Sequence, residues 1–260
     1  MKTVIFAGGL GSRISEESYL KPKPMIEIGG KPILWHILKI YQSYGFDEFI
    51  ICLGYKGYVV KEYFTNYFLH NSDITFDLSK NEMEIHSSRA EKLRVTLVDT
   101  GMYTSTAGRL KRVEKFLVND KDENFMLTYG DGVSNIDLKR LYSFHLDHGK
   151  LATVTGVQPA GKFGVIDVGN SGSVESFSEK PKHDGTWING GFFVLNKKIF
   201  QLMPEETDNI MWEQEPLKRL VEHNELMMYK HSGFWKCMDI LRDKVELEKM
   251  WDNNPPWKIW

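Results

Sequence analysis

Short apolar runs alternate with stretches of helical periodicity through the first half of this 260-residue chain. Thr3 to Ala7 is an apolar run closed by glycine, the pattern of a buried strand. From Pro32 to Tyr44, Ile33, Ile37, Ile40 and Tyr41 share one helical face. Pro32 suits a first helical turn and Gly45 supplies the stop. Phe49 to Leu53 predicts a second buried strand and Tyr58 to Tyr67 a helix. Arg94 to Asp99 and Phe125 to Tyr129 predict further strands, separated by a helix around Gly108 to Phe116. Repeated strand–helix–strand order predicts an α/β fold with a mostly parallel sheet covered on both faces.

From Ala152 the texture changes. Ala152 to Val157, Val165 to Val168 and Val174 to Phe177 predict short strands, with a turn at Asn170-Ser171-Gly172 between the last two. Trp187 to Leu195 predicts another strand. Helices are expected at Trp212 to His223 and Leu241 to Trp251, with Leu226 to Lys230 as an edge strand between them. No flexible linker interrupts the chain, so residues 1–260 read as one domain. Its first half would bind a nucleotide and its second half would complete the site.

Composition narrows the classes of partner. Hydrophobic residues make up 42% and charged residues 26%, enough for a sizeable core in a soluble protein. A formal net charge of −2 gives no global attraction to nucleic acid or anionic membrane, so any phosphate must be held by local cations. No apolar run approaches the roughly 20 residues of a membrane span, and the start is not a signal peptide. Two cysteines, Cys52 and Cys237, cannot make a disulfide framework and read as reduced thiols of a cytoplasmic protein.

Four segments carry candidate chemistry. The first is the loop Ala7-Gly8-Gly9-Leu10-Gly11-Ser12-Arg13 after the first strand, followed by Lys21-Pro22-Lys23-Pro24. Glycines let backbone N–H groups approach a ligand, Arg13 offers a forked cation, and the prolines stiffen the lysines. Gly11-Ser12-Arg13 does not close a P-loop, and Ile14 stands where a dinucleotide fingerprint needs its third glycine. The second is Tyr129-Gly130-Asp131-Gly132 at the carboxyl end of a strand, where ligands of open α/β sheets bind. Asp131 is either an Asp-Gly turn residue or a ligand for Mg²⁺. The third is Glu179-Lys180-Pro181 with Asn189-Gly190-Gly191, a polar turn or a set of phosphate and sugar contacts. The fourth is Asp239 in Phe234-Trp-Lys-Cys-Met-Asp239, a helix N-cap, a metal ligand, or both.

In this order the segments resemble the sugar-phosphate nucleotidyltransferase family. The likeness extends over essentially the whole chain, through Ile28-Gly-Gly-Lys-Pro-Ile-Leu-Trp-His36, Val98-Asp-Thr-Gly101, Gly108-Arg-Leu-Lys-Arg112 and Trp212-Glu-Gln-Glu-Pro-Leu217. It implies a Rossmann-like three-layer sandwich of the nucleotide-diphospho-sugar transferase type. It also implies transfer of a cytidylyl group from CTP to glucose 1-phosphate, with Mg²⁺ as cofactor and homo-oligomeric assembly. Other bases on the same fold, or a catalytically silent nucleotide-binding subunit, are the alternatives.

Carried over residue by residue, the resemblance makes Arg13, Lys23 and Asp131 catalytic. Ala7 to Arg13, Lys23, Thr104, Arg109 and Gly130 would bind the nucleotide. Glu179, Lys180, Asn189 and Gly190 would bind the sugar phosphate, and Asp131 and Asp239 the metal. Two departures stand out: Ser12 where threonine is common, and Thr106-Ala107-Gly108 where the pattern has two adjacent glycines. The second adds a methyl group near the expected base. The tryptophan-rich end, Trp251 to Trp260, reads as a docking tail for a neighbouring subunit or as packing on its own domain.

Overall fold

In the first strand Val4 and Phe6 face one side, Ile5 faces the other, and all three are buried. A strand buried on both faces reads as a continuous apolar run, which is why this element is legible in sequence. The computed structural model describes residues 1–159, 165–168, 174–178 and 187–260. It runs from β1 (Lys2–Phe6) through a short helix α1 (Ser15–Ser18) and a small ladder of β2 (Glu27–Ile28) with β3 (Lys31–Pro32). Helix α2 (Ile33–Ser43), β4 (Glu48–Leu53) and α3 (Gly57–His70) follow, then a hairpin of β5 (Ser72–Asp77) and β6 (Glu82–Ser88). Next come β7 (Arg94–Asp99), α4 (Thr106–Val113), β8 (Asn124–Tyr129), β9 (Gly132–Ser134), α5 (Leu138–His148) and β10 (Ala152–Val157). β11 (Val165–Val168) pairs antiparallel with β12 (Val174–Ser178). The chain closes with β13 (Ile188–Asn196), α6 (Glu215–Glu222), β14 (Leu226–His231), β15 (Trp235–Cys237) and α7 (Leu241–Asp252).

Seven strands form the central sheet in the order β14-β10-β13-β8-β1-β4-β7. Every pairing is parallel except those of β13, which runs antiparallel to both β10 and β8. Two cores flank the sheet. Ile5, Ile51, Met126 and Phe192 pack with α2, α5 and α7 on one face. Val4, Ile50, Leu127 and Phe193 pack with α4 and α6 on the other. The architecture is therefore the three-layer α/β sandwich with a mostly parallel mixed sheet, and β14 lies at its edge.

Some elements depart from the pattern. α6 begins at Glu215 rather than Trp212, because the Trp212 ring is fully buried and its backbone N–H bonds to Thr106 Oγ1 at 2.7 Å instead of entering a helix. The hairpin β5–β6 and helix α5 fall where no element was expected. Yet α5 has ordinary punctuation: Asp137 caps it by accepting from Lys139 and Arg140, and Gly149 ends it in a left-handed conformation. Trp257 is buried against the first core, with Trp251 and Trp260 beside it, so the tryptophan-rich end packs on its own chain.

Candidate active site

Beyond the carboxyl ends of β1 and β8 lies a cavity of about 710 Å³. The glycine loop forms one wall. Gly8 has no room for a side chain, since a Cβ there would meet the Arg109 guanidinium at 2.0 Å. Gly11 adopts φ +65, which turns the loop into the short 3-10 segment Ser12–Ile14. Ser18 Oγ donates to the Gly11 carbonyl at 2.9 Å and holds the turn. Ala7, Gly8, Gly9, Leu10, Gly11, Ser12 and Arg13 all line the cavity.

Asp131 and Asp239 stand 108 positions apart and meet through a local ladder. β9 pairs antiparallel with β15, Gly132 opposite Cys237. The residue before β9 therefore lies beside the residues after β15, and Met238 N–H donates to the Asp131 carbonyl at 2.8 Å. Asp239 does not fill the N-cap of α7; that position is Ile240. Instead, Asp243 reaches back and accepts from the N–H groups of Asp239 and Ile240, at 2.9 and 3.1 Å.

Lys23 joins the two carboxylates. Its Nζ donates to Asp131 Oδ2 at 2.5 Å and to Asp239 Oδ1 at 2.7 Å. Arg13 donates to Asp239 Oδ2 at 2.9 Å while its side chain remains 73% exposed at the cavity mouth. Burial opposes the Lys23 charge, but the Asp131 charge and the hydrogen bonds to Asp131 and Asp239 outweigh it, so its pKa is raised. The other lysine of the pair, Lys21, turns to Glu27 at 2.6 Å. Cys237 also lines the cavity. Burial, with the charges of Asp239 and Asp131, pushes its thiol up to about 11, so it stays a thiol at neutral pH and is no nucleophile.

Thr104, Ser105, Thr106 and Arg109 also line the cavity, Arg109 directly against Gly8. The Arg109 guanidinium donates to the carbonyls of Leu53, Gly101 and Gly8, each at 2.9 Å, and to Thr100 Oγ1 at 2.8 Å. It thus clamps the glycine loop to the ends of two neighbouring strands, and burial presses its pKa down. Ala107 is fully buried among the residues of the second core, so its extra methyl points away from the cavity.

The structure gathers Arg13, Lys23, Thr104, Arg109, Gly130, Asp131, Asn189 and Asp239 around one space. Gly190 is buried and does not line the cavity; its carbonyl accepts from Trp235 Nε1 at 2.7 Å. Glu179 and Lys180, and the turn Asn170-Ser171-Gly172, lie outside the described residues. Sequence reasoning missed Tyr129 and Glu213, which also line the cavity. Tyr129 OH donates to Glu213 Oε1 and accepts from Asn189 Nδ2 at 3.2 Å. Burial and the Glu213 charge push the tyrosine pKa far up. A motif search has no handle on Glu213, because its neighbours in space come from β8, β13 and the start of α4.

A family model described as nucleotidyl transferase matches residues 2–240. The chain is 57% identical over 261 aligned residues to the glucose-1-phosphate cytidylyltransferase of Salmonella typhimurium, covering 100% of both chains. It is 46% identical to the probable glucose-1-phosphate cytidylyltransferase of Bacillus subtilis, again over 100% of both. Its fold is similar to the crystal structure of a putative glucose-1-phosphate thymidylyltransferase from Bacillus anthracis, with TM-score 0.70 and 18% identity over 97% of this chain and 96% of that one.

Proposed function

The chain belongs to the nucleotidyl transferase family, and from that premise we propose that it transfers the cytidylyl group of CTP to α-D-glucose 1-phosphate. A phosphate oxygen of the sugar attacks the α-phosphorus of CTP, the bond to the β-phosphate oxygen breaks, and pyrophosphate leaves. The products are CDP-glucose and pyrophosphate. The observation that carries the reading is the convergence of Lys23 with Asp131 and Asp239 beside the glycine loop in one cavity. The choice of CTP and glucose 1-phosphate rests on the full-length likeness to the Salmonella enzyme.

The nucleophile is already anionic at neutral pH, so the protein has to align two phosphates and offset their repulsion. Backbone N–H groups of the Gly8–Ser12 turn face the triphosphate. Arg13, exposed at the mouth, takes the outer phosphates through its planar fork. Lys23 is sequestered deeper and brings its charge to the α-phosphate, where negative charge grows in the transition state. Asn189 meets sugar hydroxyls from the far wall.

Asp131 and Asp239 fit Mg²⁺. Their oxygens converge on one ammonium, and a hard cation of this kind takes one or two carboxylates and fills its shell with phosphate oxygens and water. Among the described residues no group of three or more His, Cys, Asp or Glu side chains forms a metal cage, which accords with a shell completed by substrate. Bound there, Mg²⁺ supplies charge neutralisation to the reacting phosphates. We also propose that the enzyme works in the cytoplasm as a homo-oligomer. Among the described residues no helix is long and apolar enough to cross a membrane.

The test is product formation from CTP and glucose 1-phosphate with Mg²⁺. Pyrophosphate and CDP-glucose should appear in equal amounts, and neither should appear when the sugar phosphate is omitted. CTP breakdown independent of the sugar phosphate would contradict the reading.

A further inference from the structure

The segment 208–213 is strapped to the start of α4. Ser105 N–H donates to the Asp208 carbonyl at 2.7 Å, Ala107 N–H to the Ile210 carbonyl at 3.1 Å, and Trp212 N–H to Thr106 Oγ1 at 2.7 Å. The strap ends in Glu213, whose side chain lines the cavity. Glu213 Oε2 accepts from the Thr106 hydroxyl at 3.1 Å, and Oε1 accepts from the Tyr129 hydroxyl.

A carboxylate can only accept, and a tyrosine hydroxyl has a single proton to give. Tyr129 gives that proton to Glu213. Toward Asn189 its oxygen can then only accept, and the group 3.2 Å away must be the amide NH₂. At the other end of the same amide, Oδ1 accepts from Gly191 N–H at 2.8 Å. Both ends demand one orientation. Asn189 lines the cavity, so these two bonds fix the orientation of its amide there.

We propose that Glu213 is a positioning residue that sets the direction of the hydrogen-bond chain Glu213–Tyr129–Asn189 and thereby fixes which polar face of Asn189 meets the sugar; the proposal rests on the sugar-phosphate role given to Asn189 above. A glutamine at 213 keeps the shape but can donate. Tyr129 could then accept from it and donate to Asn189, which favours the flipped amide while Gly191 N–H opposes it. The conflict loosens Asn189 and leaves the nucleotide wall in place.

The experiment is a double-mutant cycle between Glu213→Gln and Asn189→Ala, read in steady-state kinetics. Glu213→Gln should raise KM for glucose 1-phosphate about tenfold and leave KM for CTP within about twofold. In the Asn189→Ala background the same change should add less than about twofold. Tyr129→Phe, which keeps the ring but cuts the chain, should reproduce the selective loss if Glu213→Gln folds poorly. Turnover of CTP with glucose 1-phosphate by the wild type is the separate control on the functional reading; if another pair is used, the cycle is run on that pair. A Glu213→Gln effect that persists in full without Asn189, or that weakens both substrates equally, overturns the proposal.

Discussion

Two clusters in this molecule are assembled from residues far apart in sequence, and they behave oppositely. At the cavity, Lys23 bridges Asp131 and Asp239 with Arg13 at the rim. On one flank of the sheet, His36 is enclosed by Trp35, Trp251, Trp257 and Trp260. His36 is fully buried, its Nε2 donates to the Ile28 carbonyl at 2.8 Å, and its Nδ1 accepts from Trp257 Nε1 at 3.3 Å. Each ring nitrogen has its protein partner in a closed aromatic shell. The charged groups of the first cluster line an open space where phosphates can take over their bonds. The first fits the chemistry proposed above and the second serves stability, although both collect residue types that invite a functional reading in sequence.

That contrast is breakable. Trp257→Ala should cost about 4 kcal/mol of stability, because a buried indole leaves a large cavity. Among molecules that remain folded, kcat should be unchanged; thermal unfolding and kinetics on one preparation check both. Asp131→Asn should be the mirror image. It should lower kcat about 10³-fold, near 4 kcal/mol in the barrier, with the melting temperature close to wild type. A normal rate of pyrophosphate release from this variant would remove the proposed role of Asp131.

A pH titration separates the clusters further. Burial lowers the His36 pKa from 6.5 to about 4. As pH falls, the unfolded chain therefore takes up the proton first. The stability His36 contributes is whole above about pH 6.5 and is lost progressively toward pH 4, by up to about 3 kcal/mol. Denaturant unfolding from pH 7.5 to 4.5 should show a shallower decline in His36→Gln than in wild type. His145, also lowered to about 4 by burial and by His148, contributes to the slope that remains, together with His148 and His231, both lowered by burial.

A smaller effect is expected at Lys23. Lys23→Ala should lower kcat about 10²-fold while raising KM for CTP only about threefold, because its contact with the α-phosphate strengthens as charge develops. An unchanged kcat would place Lys23 in ground-state binding alone.

The strands that carry the site were legible because β1, β4 and β8 are buried on both faces and read as apolar runs. The glycine loop and Asp131 were legible because each follows such a strand; Lys23 and Asp239 follow a short helix and a half-buried three-residue strand, and were legible through the Lys21-Pro-Lys-Pro24 run and the segment Phe234 to Asp239. Three things were not. The hairpin β5–β6 exposes Phe76, Met83 and Ile85 and leaves Ile74 half-buried, so it lacks the buried-run signature although its period of two was readable. Glu213 owes its place to Trp212, whose burial pulls the segment out of α6 and against α4. Arg109 read as a nucleotide contact, yet its guanidinium also binds the glycine loop to the strand ends, a role that only the tertiary fold defines.

The proposed function requires that this cavity take CTP and glucose 1-phosphate. The most direct test is competition: CTP, UTP, dTTP and GTP at equal concentration with glucose 1-phosphate and Mg²⁺, followed by quantitation of the nucleotide sugars formed. CDP-glucose should exceed every other product at least about tenfold, the discrimination expected where a site built to hydrogen-bond the cytosine edge meets a base lacking that edge. A mixture dominated by UDP-, dTDP- or GDP-glucose would rule out CTP as the substrate.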